Sequence, residues 1–278
     1  MSLAARGSGR PISRRTVLTA ALLAPALSGC TSLFAGPTTI TGTLSSAATG
    51  SNHDWAIWYP TGTGRDSGLP VVLVLHGLGD TIASIEPLGY TSQATALIDS
   101  GAAPFAIAAI NGDTLFWQKV GNQDAGALVT EEFLPVLADH GLDISRLALT
   151  GWSMGGWGTL RLAERELRGK LRAAAAISTP CYADYRWVPE PYQKLMSRSV
   201  FEAGNFYNHP ERLTDLPLFL ACGTEDPFEA GNEDFVITLD SQPGVIQPTR
   251  VFSKGAHDAD YWRSVAPSQF RFLADHLG

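Results

Sequence analysis

The sequence has little of what marks the specialised protein classes. Three cysteines in 278 residues are too few for a disulfide lattice, and a core of this size needs none. Lysine is scarce, and 27 acidic residues leave a formal charge of −7, which argues against a general nucleic-acid binder with its basic face. Beyond the N-terminus no predominantly apolar run reaches the roughly 18 residues of a membrane span, so a multi-span membrane protein is excluded. There is no Walker loop, no CxxC pair and no GxGxxG fingerprint after a strand, so the usual signals for nucleotide, zinc and dinucleotide are missing. What is there is 45% hydrophobic and 17% charged, a globular composition long enough for one large α/β domain or two small ones.

The first 29 residues carry Arg6, Arg10, Arg14 and Arg15 and no acid. The apolar stretch from Val17 to Leu27 has the length of a signal h-region and is too short to cross a bilayer. The pair Arg14-Arg15 before it resembles a twin-arginine export signal. Leu27-Ser28-Gly29-Cys30 resembles a bacterial lipobox, in which the Cys becomes the lipidated first residue of the mature chain. The plain alternative is a secretory signal with a chance Cys. Removing residues 1–29 takes the formal charge from −7 to −11, so acyl chains rather than anionic lipid would hold the domain at the outer face of the cytoplasmic membrane. Residues 30–52, rich in Thr, Ser, Gly and Ala, read as a tether, and 53–278 as the folded domain.

Strands are expected at 54–59, 71–75, 105–110, 146–150, 173–178, 218–222 and 249–253, with helices at 90–99, 124–139, 154–168 and 261–277. Val71-Val72-Leu73-Val74-Leu75 is a continuous apolar run, the mark of a strand buried on both faces. The alternation calls for parallel crossovers and predicts one doubly wound, mostly parallel α/β sheet with an antiparallel edge from its N-terminal strands. Residues 181–215 break the rhythm with seven aromatics from Tyr182 to Tyr207 and read as a small cap insertion. Cys181 and Cys222 follow strands that are candidates for neighbours; a bridge and two separate thiols both remain open.

Gly151-Trp152-Ser153-Met154-Gly155 joins a strand to a helix, the context in which G-x-S-x-G puts a serine hydroxyl at the apex of a tight turn. Ser153 is the candidate nucleophile. A serine needs a base, and His257, following the last strand, is the candidate at the right sheet edge. His53, His76, His140, His209 and His276 lie in other loops, at helix ends or in the cap. The acid that orients the imidazole falls at Gly223-Thr224-Glu225-Asp226-Pro227, with Asp226 favoured and Glu225 the alternative. Asp258 and Asp260 read as solvated. The oxyanion donors are expected at the backbone N–H of Met154 and, in His76-Gly77-Leu78-Gly79-Asp80, of Leu78, with Gly77 the alternative. His76 reads as a scaffold residue. No metal or organic cofactor is implied.

Residues 54–277 resemble the α/β-hydrolase superfamily and, within it, the esterase branch that includes esterase D and the secreted mycolyltransferases. The resemblance rests on Gly151-Trp152-Ser153-Met154-Gly155-Gly156-Trp157-Gly158, on Thr130-Glu131-Glu132-Phe133-Leu134-Pro135, and on His257-Asp258-Ala259-Asp260-Tyr261-Trp262. It also implies that Asn111-Gly112-Asp113-Thr114 and Trp117 line the cleft, with a plain structural loop as the alternative. The expected activity is hydrolysis of a small-molecule or glycolipid carboxylic ester through an acyl-enzyme. Acyl transfer to a sugar hydroxyl is the alternative, peptidase activity a related one, and a non-catalytic envelope binding lipoprotein the reading from another class.

Overall fold

The computed structural model describes residues 37–194 and 196–278. The export signal and Cys30 lie outside the described residues. Eight strands form one sheet: β1 (Thr38–Ser45), β2 (Asn52–Tyr59), β3 (Pro70–Leu75), β4 (Ala106–Ile110), β5 (Asp143–Trp152), β6 (Leu171–Ile177), β7 (Leu218–Gly223) and β8 (Thr249–Ser253). Their spatial order is β1-β2-β4-β3-β5-β6-β7-β8. The hairpin β1–β2 and the pair β2–β4 are antiparallel, and every other neighbour is parallel.

Burial explains why the central strands read so clearly. Every residue of β3 is buried. Val71, Leu73 and Leu75 enter the core on one face, while Val72 and Val74 enter the core on the other, as a period of two requires. The second face is covered by α1 (Tyr90–Asp99) and the last helix. The first is covered by a helical stretch over 125–139 (α2), by α3 (Met154–Glu164) and by α4 (Glu229–Asp240). The last helix, α5 (Ala259–Leu277), buries Tyr261, Val265, Phe270 and Leu273 along one stripe. Within α2, Leu128–Phe133 takes π-type hydrogen bonding, which spacing alone does not announce. No helix among the described residues is long and apolar enough to cross a membrane.

Two expectations change. The stretch read as tether up to residue 52 contains β1, which pairs with β2 in full register from Thr38↔Tyr59 to Ser45↔Asn52. Its Thr-rich sequence looks like a linker, yet threonine suits a half-exposed edge strand once a partner edge is present. The helix after Ser153 stops at Glu164 rather than 168, because Leu167 N–H folds back onto Leu162 O at 2.8 Å. Cys181 and Cys222 are buried and unbridged, and burial pushes both thiols well above their ordinary pKa.

Residues 181–215 are a chain of short helical turns that includes Arg198–Gly204 and Pro210–Leu213. Phe201 and Phe206 pack on the Trp157 ring at 5.5 and 5.1 Å. The segment is pinned to α3 electrostatically. The fully buried Glu164 carboxylate accepts from Arg165 Nε at 2.7 Å and from Arg212 Nη1 at 2.8 Å. Removing one member of a buried ion pair leaves the rest uncompensated. Glu164→Ala should therefore lower unfolding free energy by about 2–4 kcal/mol, somewhat below the usual range of about 3–5 kcal/mol because both guanidiniums reach solvent; urea denaturation measures it. A loss under about 0.5 kcal/mol would show that Glu164 does not anchor the segment.

Candidate active site

The strand order reverses beside β3: β4 lies to one side of it, and β5 through β8 continue on the other. Loops at the carboxyl ends of β3 and β5 therefore diverge and open a crevice. Ser153 sits at that point, directly after β5. Its backbone has φ 54° and ψ −119°, a conformation costing about 1–3 kcal/mol in a non-glycine residue. The surroundings enforce it. A Cβ at Gly155 would run into the Leu75 carbonyl, and one at Gly151 would lie 2.6 Å from the same oxygen. A Cβ at Gly156 would strike Thr179 Oγ1. The Ser153 N–H donates to Ile177 O at 2.9 Å, and Trp157 N–H to Ser153 O at 3.1 Å. Ser153 thus stands at the N-terminus of α3, where the helix dipole favours developing negative charge.

Two turns bring the partners. Thr224 N–H donates to Ser253 O at 2.9 Å and Glu225 N–H to Gly255 O at 2.8 Å, so the turn after β7 and the loop after β8 are sewn together. The side chains follow. His257 Nε2 lies 2.9 Å from Ser153 Oγ, and His257 Nδ1 lies 2.9 Å from Asp226 Oδ2. An ionised carboxylate only accepts, so Nδ1 carries the ring proton and Nε2 is free to accept the serine proton. Asp226 is buried and Glu225 exposed, so Asp226 is the acid that faces the ring. Burial pushes the Asp226 carboxyl up. The hydrogen bond and charge of His257 and the Phe228 N–H at 2.9 Å outweigh burial and hold it below its ordinary value. Phe228 and Trp262 pack edge-on against the imidazole at 4.9 and 5.4 Å. Phe228 was not singled out by sequence reasoning, and its place after Asp226-Pro227 is the only local sign of it. Asp258 is exposed and caps α5 through the Tyr261 N–H, and Asp260 is exposed beside Arg263.

The turn after β3 is closed by Asp80 N–H donating to Gly77 O at 3.1 Å, with Gly79 at φ 80°. Such a turn needs glycine at its third position and leaves the second N–H, that of Leu78, outside its own hydrogen bond. Leu78, Met154 and Ser153 border the same cavity. His76 is buried. Its Nδ1 donates to Gly77 O at 2.8 Å, and its Nε2 accepts the Gly112 N–H at 2.9 Å. Burial pushes its pKa down and keeps it neutral, as that two-sided bonding requires. His76 thereby ties the Leu78 turn to the loop 111–117, in which Asp113, Phe116 and Trp117 all have positive φ. Of that loop, Phe116 reaches the cavity, while Trp117 is fully buried. The other histidines hold local contacts elsewhere, as with His140 and His276 on carbonyls of their own helices.

The cavity at Ser153 is narrow, about 50 Å³, and apolar. Met154 and Trp157 line it from α3, Val188, Tyr192 and Met196 from the cap, and Phe228 from the acid turn. Wider hollows of about 430 and 610 Å³ lie elsewhere and include none of Ser153, Asp226 and His257. No group of three His, Cys, Asp or Glu able to hold a metal occurs among the described residues.

No family model and no curated protein matches the sequence. Solved structures do resemble it. A ferulic acid esterase superposes with TM-score 0.74 at 22% identity, covering 87% of this chain and 99% of its own. An S-formylglutathione hydrolase from Agrobacterium tumefaciens gives TM-score 0.71 at 18% identity, over 87% of this chain and 96% of its own. One from Staphylococcus aureus gives 0.67 at 17% identity, over 86% and 100%. With its mostly parallel eight-stranded sheet and flanking helices, the chain has the α/β-hydrolase fold.

Proposed function

We propose that the protein is a serine carboxylic-ester hydrolase, and one observation carries this: the unbroken line Ser153–His257–Asp226, with 2.9 Å at each link, ending on a strained serine at a helix N-terminus. Ser153 Oγ attacks the ester carbonyl carbon while His257 Nε2 takes its proton. The resulting oxyanion is held by the N–H groups of Leu78 and Met154. Collapse breaks the bond to the leaving alcohol, and His257 returns the proton to its oxygen. Water, deprotonated by the same nitrogen, then attacks the acyl-enzyme and releases the acid and free Ser153. Asp226 keeps the imidazole in the reactive tautomer and stabilises its cationic form.

The names of the similar structures span a ferulic acid esterase and S-formylglutathione hydrolases, which act on acyl groups of very different size. The cavity here, far below the usual 300–1,000 Å³ of ligand pockets, supports a short acyl group. Cys30 and the arginine-rich N-terminus support export and lipid anchoring at the outer face of the cytoplasmic membrane. The substrates would then be envelope or lipid-derived esters.

An alkyl fluorophosphonate should label the wild type and leave Ser153→Ala unlabelled at unchanged thermal stability. A wild type that neither reacts nor hydrolyses p-nitrophenyl acetate would exclude the proposal. Asp226→Asn should lower kcat on the order of 10⁴-fold, by analogy with the same change in another serine hydrolase. The depressed Asp226 pKa also has a stability consequence. Its contribution is present above the ordinary carboxylate pKa of 3.8 and is lost as pH falls through the lower folded value. The melting-temperature advantage of the wild type over Asp226→Asn should therefore shrink between pH 5 and pH 2; a constant difference would refute the linkage. In a p-nitrophenyl ester series, kcat/KM should drop by more than about tenfold between butyrate and octanoate, since each misfit methylene is worth roughly 1–3 kcal/mol. A flat or rising series would show that the cavity does not receive the acyl chain.

A further inference from the structure

The turn that carries Leu78 N–H and the strand end that carries Ser153 belong to different segments, and one side chain joins them. Asp80 Oδ2 accepts from Trp152 Nε1 at 2.9 Å, and Trp152 immediately precedes Ser153. Asp80 Oδ1 accepts from Ser84 Oγ at 2.8 Å, and Asp80 N–H closes the turn on Gly77 O at 3.1 Å. The join presses on the turn itself. A Cβ added at Gly77 would lie 2.7 Å from Trp152 Nε1 and 3.0 Å from Asp80 Oδ2. The Trp152 ring is fixed in turn by Tyr90 at 5.8 Å and by Trp262 at 5.9 Å, and Trp262 is the ring packed on His257.

We propose that Asp80 is a positioning residue: through Trp152 it latches the Leu78 turn to the nucleophile strand and so sets the distance from Leu78 N–H to the oxyanion. The inference rests on the esterase reading above. His76 ties the outer side of the same turn to Gly112; among the described residues, Asp80 is the side chain of the turn that hydrogen-bonds to the segment bearing Ser153. The ground-state carbonyl makes little demand on that distance, whereas the developing oxyanion does, so the latch acts on kcat. The latch requires an acceptor for the indole N–H rather than a charge. An asparagine can turn its oxygen to Trp152 and its amide to the Ser84 hydroxyl, which also accepts.

The experiment compares Asp80→Ala, Asp80→Asn, Trp152→Phe and the double variant Asp80→Ala/Trp152→Phe. Each rate is normalised to sites titrated by fluorophosphonate. With p-nitrophenyl acetate, Asp80→Ala should lower kcat about 10- to 100-fold with KM within about threefold. Its Ki for 1,1,1-trifluoro-2-butanone, whose hemiketal carries the oxyanion, should rise in the same proportion. Trp152→Phe should act alike, the double variant should lose no more than the worse single, and Asp80→Asn should recover most of the loss. A kcat within twofold of wild type, a loss confined to KM, an unchanged Ki, or no recovery in Asp80→Asn would each overturn the latch. Where Asp80→Ala fails to fold, Trp152→Phe decides by the same readings. An unaltered protein that neither turns over nor labels would sink the esterase reading, and the latch with it; normal wild-type turnover with a neutral Asp80→Ala sinks the latch alone.

Discussion

The structure turns on one backbone constraint, the strained positive-φ conformation of Ser153. An L-residue adopts it only where the surroundings leave no alternative, and here the chain leaves none. Gly151 and Gly155 let β5 and α3 close onto the Leu75 carbonyl, so the chain reverses within a single residue. A Cβ at either glycine would meet that carbonyl, so the close approach of α3 to β3 requires both. The strain is supported by burial: every residue of α3 is buried, and the sheet beneath it is covered on both faces.

Three further segments are arranged around that fixed point, each by short-range polar contacts. The acid turn and the histidine loop hold each other through backbone hydrogen bonds, which fixes Asp226 and His257 relative to one another at the ends of β7 and β8. The Leu78 turn is held on its outer side by neutral His76 and on its inner side by Asp80. Aromatic rings fill the space between these polar ties. Phe228 and Trp262 box the imidazole, while Trp157 joins the helix behind Ser153 to the cap. Exclusion of water around a buried carboxylate strengthens its interaction with an imidazolium, and that is the electrostatic setting the proposed acyl transfer needs.

The cap closes over the cavity at Ser153. It is held by a buried carboxylate at Glu164 and by aromatic packing, and its residues Val188, Tyr192 and Met196 narrow the cavity over Ser153.

Local sequence was sufficient where short-range physics decides. The apolar run Val71–Leu75 reads as a doubly buried strand because both of its faces are covered, and Gly151–Gly155 reads as a sharp strand–helix turn because only glycine fits there. By itself the sequence also narrowed the acid to two adjacent carboxylates and the histidine to a loop at the right sheet edge. Tertiary structure decided what depends on distant partners. Thr38–Ser45 becomes a strand only because β2 offers a free edge. Asp226 faces the ring and Glu225 does not, because the pairing of the 223–227 turn with Gly255 fixes the turn's rotation. Whether Cys181 and Cys222 join, how narrow the cavity is, and that Asp80 reaches Trp152 across 72 residues are consequences of packing between segments, to which propensity and spacing along one chain are blind.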